Sequence, residues 1–282
     1  MQGAVHMRRS EGRHRPRAAP RQLKSRGSPP TISGTSCRKG TRTMKRQIAA
    51  ALLLSATAWA AEPQAVPPPE GAVVLFEGGE KRDVSKWTGA KLNEEGCLLA
   101  GTTTKDKFQS AVIHIEFNIP KLEKGKGNSG NSGVYIQRRY EIQILNTTKG
   151  KPQKGGCAAI YQFKPADTNE AREPGEWQQY VIFFQAAKWE TPAEGAKPKK
   201  TQNVRMTVFH NGVKVHDNVD VPNKTGSGQP EGPNPQEIYL QNHGFKVAYR
   251  NVWVLACEQD DDPRVQALLK QLEEADPKGK GK

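Results

Sequence analysis

The chain has 282 residues, which is enough for one large domain or two small ones. Its net charge of +14 would suit a nucleic-acid-binding protein, but the positive charge is concentrated at one end. Between Met1 and Arg46 there are thirteen Lys and Arg residues and one acidic residue. From Ala61 onward there are thirty Lys and Arg residues and twenty-eight Asp and Glu residues. The part that can fold is therefore nearly neutral, and its charge gives no reason to expect a nucleic-acid partner.

Residues 44–60 have the layout of a secretory signal peptide. Two cations follow Met44, an apolar run extends over Ile48–Leu54, and small residues flank Trp59. The apolar run is too short for a membrane-spanning helix, which needs about 20 residues, and no later stretch is long and apolar enough. We therefore expect no membrane span and export to the periplasm or the exterior, with the mature chain starting near Ala61.

Residues 1–43 are rich in Arg, Pro, Ser and Gly and contain almost no large apolar side chains. Such a composition cannot bury a core, so we expect a disordered extension. Because a signal peptide acts at a true N-terminus, we expect translation to start at Met44, which makes 1–43 a wrongly assigned start. The alternative is a disordered basic arm that binds nucleic acid.

After a Pro-rich spacer at 61–70, residues 71–257 form a predicted all-β domain. About ten short runs rich in β-branched and aromatic residues are separated by turn signals, and no convincing helix lies between them. This spacing predicts a β-sandwich or barrel. The predicted strands are 72–76, 97–101, 111–118, 133–138, 140–145, 158–163, 177–185, 204–210, 212–216, 237–242 and 247–256.

Residues 258–282 are predicted to form a short C-terminal helix and an unstructured Lys/Gly tail. Val265, Leu268, Leu269 and Leu272 have the spacing of one helical face, and acidic residues precede Pro263.

Three cysteines remain after cleavage, Cys97, Cys157 and Cys257, and this odd number allows one disulfide and one buried thiol. Cys97 and Cys257 are the candidate pair, because the terminal strands of a sandwich are often neighbours. No spacing of Cys or His indicates a zinc site.

Alternation along four predicted strands separates an apolar face from a second, polar face. Of the Thr, Lys, Glu and Ser residues that form an ordinary solvated strand face, this polar face has only Glu. It carries amides, imidazoles, phenols and carboxylates, which suit sugar hydroxyls and the flat side of a pyranose ring. We therefore expect a carbohydrate-binding face, although a merely solvated face remains the alternative. Its members are His114, Glu116, Tyr135, Gln137, Glu141, Gln143, Tyr239, Gln241 and His243.

Several motifs resemble those of the DUF1080 family, which is also called the 3-keto-disaccharide hydrolase domain. The segments are 128–136, 140–145, 157–161, 174–177, 208–212, 240–244 and 249–253, and they occur in the expected order over about 73–254. The resemblance implies a concanavalin A-like jelly roll related in shape to laminarinase-type glycosidases. It also implies export and a carbohydrate substrate that is oxidised to a ketone at C3.

Two departures from related patterns bear on the mechanism. Laminarinase-type enzymes place two catalytic glutamates on one strand, whereas 141–146 contains only Glu141, which disfavours a retaining double displacement. Family members often carry Asp where this chain has Asn146 and Asn242. Either change could lower activity or leave a site that only binds sugar.

A 3-keto-glycoside needs only one carboxylate for cleavage. The ketone acidifies the C2 proton, so a base can remove it, the C1 substituent can leave, and water can add to the enone. On this hypothesis Glu141 is the base, and His243 is the acid or polarises the ketone. The residues assigned to the enolate and the sugar hydroxyls are His114, Tyr135, Gln137, Gln143, Gln241 and Arg250.

Some of these residues have structural alternatives. Arg250 could instead pair with a carboxylate, and His114 could bond only to a neighbouring strand. A divalent ion could replace an Arg in stabilising the enolate, but no ligand spacing identifies one. For the whole protein, the alternatives to a glycoside-cleaving enzyme are a non-catalytic sugar-binding module and an interaction protein that uses its C-terminal helix.

Overall fold

The computed structural model describes residues 64–121, 130–148, 150–190, 195–257 and 261–279. The predicted extension at 1–43, the signal peptide at 44–60 and the start of the spacer therefore lie outside the described residues. The described helix is too short and too polar to cross a bilayer.

Fourteen strands and one helix make up the described part of the chain. They are β1 (Val73–Phe76), β2 (Trp87–Thr88), β3 (Leu98–Leu99), β4 (Thr102–Phe108), β5 (Ser110–Asn118), β6 (Ser132–Ile136), β7 (Tyr140–Ile144), β8 (Trp177–Gln185), β9 (Lys188–Glu190), β10 (Lys199–Gln202), β11 (Val204–His210), β12 (Val213–Val221), β13 (Gln236–Leu240), β14 (Ala248–Cys257) and α1 (Pro263–Ala275).

The strands form two antiparallel sheets that pack face to face. The larger sheet has the order β1-β14-β5-β8-β11-β12, with β3 also paired to β14, and the smaller has the order β2-β4-β13-β6-β7. β9 and β10 form a separate two-stranded ribbon. This arrangement confirms the predicted jelly-roll β-sandwich with a short C-terminal helix.

Alternating side chains fill the space between the sheets. Ile113 and Ile182 of the larger sheet are fully buried in the same cluster as Val134, Ile142 and Leu240 of the smaller sheet. Strand alternation sends the neighbours of these residues to the two outer faces. The smaller sheet therefore presents the polar face predicted for β6, β7 and β13.

The outer face of the larger sheet is also covered. Val112, Phe183 and Trp253 belong to a second apolar cluster that includes Leu268 of α1 and Val66 of the N-terminal segment. The Trp253 indole Nε1 donates to the Val66 carbonyl at 3.1 Å. The described part of the Pro-rich segment is thus packed along this face together with the helix.

Some strands differ from the sequence-based expectations. β4 was missed because Thr102–Phe108 is polar, and β9 and β10 lie in a stretch that reads as a loop. Residues 158–163 were expected to form a strand, but only an isolated bridge joins Ile160 to Ile142. Left-handed backbone at Ala158 and Gln162, with φ of 60° and 63°, interrupts regular strand geometry there.

The three cysteines are buried free thiols, so the expected Cys97–Cys257 disulfide is absent from the described residues. The pairing of the terminal strands explains the difference. Leu98 lies opposite Tyr249 near the start of β14, whereas Cys257 ends that strand. The intervening residues span roughly 25 Å at strand spacing, far beyond the reach of a disulfide.

Candidate active site

Three strands of the smaller sheet bring polar side chains to one surface. Tyr135 on β6 lies directly opposite Glu141 on β7 and opposite Tyr239 on β13. Gln143 shares the parity of Glu141 on β7, and Gln241 follows β13 with the parity of Tyr239. The structure therefore brings together four of the predicted site residues: Glu141, Tyr135, Gln143 and Gln241.

The carboxylate of Glu141 is the centre of this group. The residue is only 1% exposed. The side-chain amide of Gln143 is oriented so that its nitrogen faces hydrogen-bond acceptors. In this orientation the nitrogen donates to Glu141 Oε1 at 3.1 Å and to the Ser132 carbonyl at 2.8 Å. Oε2 of Glu141 is buried and has no hydrogen-bond partner among the described residues. An uncompensated carboxylate oxygen is costly, so it marks a candidate functional atom.

Two glycines make room for the carboxylate. A Cβ at Gly133 would lie 2.2 Å from Oε1, and a Cβ at Gly226 would lie 3.1 Å from Oε2. The Gly226 position is also 2.7 Å from Cδ1 of Tyr161, which places this glycine close to both the ring and the carboxylate. The cradle is therefore shaped by glycine on two sides.

Burial changes the ionisation of this carboxyl group. It raises the pKa of Glu141 from the ordinary value of 4.5 to about 7, and the hydrogen bond from Tyr135 opposes part of that rise. Burial, followed by the bond to Glu141, raises the pKa of the Tyr135 phenol, which stays protonated at neutral pH. The site thus pairs a proton acceptor poised near neutrality with a permanent O–H donor.

Two loop segments cover the edge of β7 around Glu141. The amide of Tyr161 donates to the Glu141 carbonyl at 3.0 Å, and the amide of Glu141 donates to Thr225 Oγ1 at 2.7 Å. The amide of Thr225 in turn donates to the Arg139 carbonyl at 2.9 Å. Residues 158–161 and 225–229 therefore act as additional partners for a strand that would otherwise have an exposed edge.

Gln241 is held next to the glutamate by its backbone. Its amide donates to the Gly133 carbonyl at 2.9 Å, and its carbonyl accepts from Ser132 Oγ at 2.6 Å. The side-chain Oε1 of Gln241 is buried without a partner among the described residues. A second unsatisfied oxygen thus belongs to the residue that follows β13 and whose amide bonds to Gly133.

His243 does not join this group. It is exposed in the loop between β13 and β14, and no hydrogen bond between described residues links it to Glu141. The loop is shaped locally, since the amide of Gly244 donates to Asn242 Oδ1 at 2.7 Å. The predicted acid role of His243 is therefore unsupported by its position.

Gln137 is used by the scaffold. It lies in the turn between β6 and β7 with φ of 51°, and its Nε2 donates to the Phe108 carbonyl at 3.0 Å. Its Oε1 accepts from Arg139 Nη1 at 3.0 Å. These bonds direct the amide away from the carboxylate, so we correct its assignment from substrate binding to the support of this turn.

His114 belongs to the other sheet, which removes it from the site. It lies on β5, is fully buried, and stacks on Trp253 with ring centroids 5.1 Å apart. Its two ring nitrogens bond to the Asn251 carbonyl at 2.8 Å and to Gln179 Oε1 at 3.0 Å. The predicted alternation along β5 was correct, but the polar face of β5 is the outer face of the larger sheet, on the side of the sandwich opposite to Glu141.

Arg250 lies on that same distant face. Its Nε donates to Glu116 Oε2 at 2.6 Å, and its guanidinium carbon lies 4.0 Å from the ring centroid of Trp177. Asn251 Nδ2 donates to the other oxygen, Glu116 Oε1, at 2.9 Å. Arg250 therefore satisfies a buried carboxylate, which is the structural alternative, and its assignment to the substrate is corrected.

Sequence reasoning missed Thr225, Gly226 and Tyr161. Only the length and polarity of 222–236 hinted that this segment had a role. Within the described residues, no cluster of three or more His, Cys, Asp or Glu could hold a metal ion. The assembled groups can accept a proton at Glu141, donate from Tyr135 and hydrogen-bond through amides.

Comparison with known proteins gives the family. A family model described as a 3-keto-alpha-glucoside-1,2-lyase-like domain matches residues 71–255. A structure from Parabacteroides distasonis, described as a candidate glycosyl hydrolase, is 26% identical with a TM-score of 0.57, covering 70% of this chain and 95% of its own. Another such structure from the same organism is 22% identical with a TM-score of 0.44, covering 66% of this chain and 99% of its own.

No curated protein matches the chain. The family model nevertheless covers well over half of the sequence and all of the sandwich except the last two residues of β14. The motifs on β6, β7 and β13 that carry the resemblance are also those that assemble the site around Glu141. The chain therefore belongs to the 3-keto-alpha-glucoside-1,2-lyase-like family, a family of carbohydrate-active proteins.

Proposed function

We propose that this protein is an exported enzyme that cleaves the glycosidic bond of a 3-keto-glycoside by elimination and hydration. The observation that carries the proposal is the Glu141 carboxylate, which is buried, lacks a partner at Oε2 among the described residues, and has a pKa of about 7. A base with such a pKa can take a proton and return it at neutral pH.

The reaction begins with removal of the C2 proton, which the C3 ketone acidifies. Glu141 accepts that proton, and the electron pair forms an enolate across C2 and C3. The Tyr135 phenol, which lies opposite Glu141 and stays protonated because of its raised pKa, is suited to donate to the enolate oxygen.

Breakage of the bond between C1 and the glycosidic oxygen then gives an enone. The departing oxygen takes a proton from Glu141, which replaces the exposed His243 as acid. Water adds at C1 of the enone, and its proton passes to C2, so that one carboxyl group serves both steps.

The carboxylate is covered in this structure, which sets a condition on the proposal. Because Glu141 is 1% exposed and Gly226 lies over Oε2, substrate must displace the segment at 225–229 to reach it. The segment bonds to the turn at 138–139 through two backbone hydrogen bonds, from Thr225 and Gln229. Opening would expose the carboxylate without disturbing the pairing of β6 with β7.

A sugar-binding module without catalysis is the second candidate. It is favoured by the single carboxylate of the site and by its burial. Asn146 and Asn242, which stand where related proteins often carry Asp, favour it as well.

Glu141→Gln distinguishes the two functions, with the exposed Glu274→Gln as the matched control. For an enzyme, turnover of a 3-keto-glucoside falls by roughly 10²–10⁴-fold in the first variant only, while sugar affinity is retained. Wild-type protein that binds sugar but turns over neither a keto-glycoside nor a plain glycoside would establish the module instead.

Export is proposed from residues 44–60 alone. The experiment is expression of the full chain in a bacterial host, followed by cell fractionation and intact-mass analysis. An exported form whose first residue is Ala61 or an immediate neighbour supports the proposal. Uncleaved protein retained in the cytoplasm contradicts it.

A further inference from the structure

A polar cavity opens just after the end of β7, beyond the residues that form the site. Its volume is 580 Å³, within the range of about 300–1,000 Å³ that small-molecule sites occupy. Its wall is formed by the end of β7, the loop that follows and the segment near 169–173. Its polar lining residues include Asn146, Thr147, Thr148, Lys151, Gln153 and Glu173.

Part of this lining holds the cavity in shape. Asn169 Nδ2 donates to the Thr147 carbonyl at 2.6 Å, and Thr147 Oγ1 accepts from the amide of Cys157 at 3.0 Å. The second bond closes the loop after β7 on itself, and the first ties that loop to the segment at 169–173. The wall is therefore a loop held in place by a second segment of the chain.

Other polar side chains of the lining are available to bind a ligand. The side chains of Asn146, Thr148 and Gln153 form no hydrogen bond with the described residues. Amides and hydroxyls offer both donors and acceptors, the combination that matches the hydroxyl groups of a sugar. One cation, Lys151, and one carboxylate, Glu173, leave the lining without net charge, which favours a neutral ligand.

The amide of Gln143 connects this cavity to the candidate active site. In the orientation that places its nitrogen 3.1 Å from Glu141 Oε1, the amide directs its oxygen toward the loop at Gly155, the neighbour of the lining residue Gly156. A single side-chain amide thus separates the reactive carboxylate from the cavity wall.

We propose that this cavity binds the neutral sugar ring on the leaving-group side of the cleaved bond. The inference rests on the proposed function, since it places the second ring of the substrate relative to Glu141. Asn146 and Thr148 would then be specificity residues for a disaccharide over a glycoside with a small aglycone.

Kinetics with two probes test the proposal. Wild type, Asn146→Ala, Thr148→Ala and the control Gln271→Ala, an exposed position on α1, are assayed with 3-keto-trehalose and methyl 3-keto-α-glucoside. We expect KM for 3-keto-trehalose to rise about tenfold in each cavity variant, the effect of about one lost hydrogen bond. KM for the methyl glycoside should stay unchanged in the cavity variants. The control Gln271→Ala should keep the wild-type KM for both substrates. Equal effects on the two substrates, or none, overturn the proposal.

Binding separates failure of the subsite from failure of the proposed function. Calorimetry with unoxidised trehalose is carried out on Glu141→Gln with and without each cavity substitution. Weaker binding in the cavity variants supports the subsite even if wild type shows no turnover. Turnover by wild type with unchanged trehalose affinity and unchanged KM overturns the subsite alone. Absence of any trehalose binding also overturns the subsite, and circular dichroism confirms that each variant is folded.

Discussion

Gly133 of β6 faces the carboxylate of Glu141 so closely that a Cβ there would lie 2.2 Å from Oε1. The backbone of Gly133 does not have the positive φ that often requires glycine. Glycine is needed here for space, because any side chain would occupy the position of the carboxylate. The relationship links the motif at 128–136 directly to the chemistry of the site.

Gly133→Ala should therefore displace Glu141 and abolish most turnover. The crowding should also destabilise the fold by about 1–3 kcal/mol, which is typical of overpacking. Gly232→Ala is the control, since its Cβ would meet only Arg139 at an ordinary 3.5 Å. Chemical denaturation and kcat measure the two effects, and a fully active Gly133→Ala protein would contradict the geometry.

The raised pKa of Glu141 predicts a pH-dependent stability. The native carboxyl holds its proton up to about pH 7, whereas the unfolded one releases it near 4.5, so stability falls as pH rises between these values. The loss amounts to about 3 kcal/mol at neutral pH. Glu141→Gln should therefore be more stable than wild type at pH 8 and similar at pH 4, as measured by urea denaturation. Equal stability at pH 8 contradicts this.

Tyr135→Phe should shift the pH profile of activity. The Tyr135 hydrogen bond lowers the pKa of Glu141, so its loss moves that pKa above about 7 and the rising limb of kcat/KM to higher pH. Tyr239→Phe is the matched control, because it removes a phenol oxygen from the neighbouring strand and should leave the inflection in place. A shift toward lower pH in Tyr135→Phe would be inconsistent with the assigned bond.

Alternation along single strands predicted much of the site, because it depends only on local geometry. Tyr135, Glu141, Gln143 and Gln241 lie on one face as their parity requires. His114 shows the limit of such reasoning. Parity gives the face of a strand but not the sheet to which that strand belongs, and β5 lies in the larger sheet. The polar side chains of β5 consequently lie on the outer face of the larger sheet, where His114 stacks on Trp253.

Local sequence patterns could not predict that the segment at 225–229 covers Glu141. Thr225 bonds to Glu141 across 84 residues of chain, and Gly226 reaches the carboxylate from the same loop. Such contacts are set by the path of a long loop after the sheets have formed. The pairing of β14 with β3 similarly places Cys97 and Cys257 at distant ends, which strand order alone did not reveal.

Arg250→Ala should test the structural role of that residue. Glu116 would keep its bond to Asn251 but lose a charged partner while its side chain is only 6% exposed, at a cost of about 1–3 kcal/mol. Arg250→Lys should recover part of that loss. We expect kcat/KM of the folded fraction to remain that of wild type, because Arg250 lies on the larger sheet. A KM increase without loss of stability would show that Arg250 binds substrate, contrary to this structural role.

His216 and His210 should make the protein sensitive to acid. Burial lowers the pKa of His216 to about 4 and that of His210 to about 3, whereas both titrate near 6.5 when unfolded. The unfolded state therefore binds more protons below pH 6.5, and stability falls as pH drops toward 4 by about 1.4 kcal/mol per unit for each histidine. His216 Nε2 donates to the Ala158 carbonyl at 2.8 Å, and the protonated ring keeps that bond, so burial and not the loss of this bond causes the sensitivity to acid.

Glu141 has the opposite dependence over part of this range, because its retained proton stabilises the native state as pH falls from about 7 to 4.5. In wild type, between pH 6.5 and 4.5, the stability gained from the Glu141 carboxyl group should offset the stability lost through about one of the two histidines. Glu141→Gln removes that compensation, so its stability should decline more steeply with acid than that of wild type. Urea denaturation at half-unit pH steps measures the two slopes. Parallel slopes would show that Glu141 and the histidines do not have the ionisation states assigned to them.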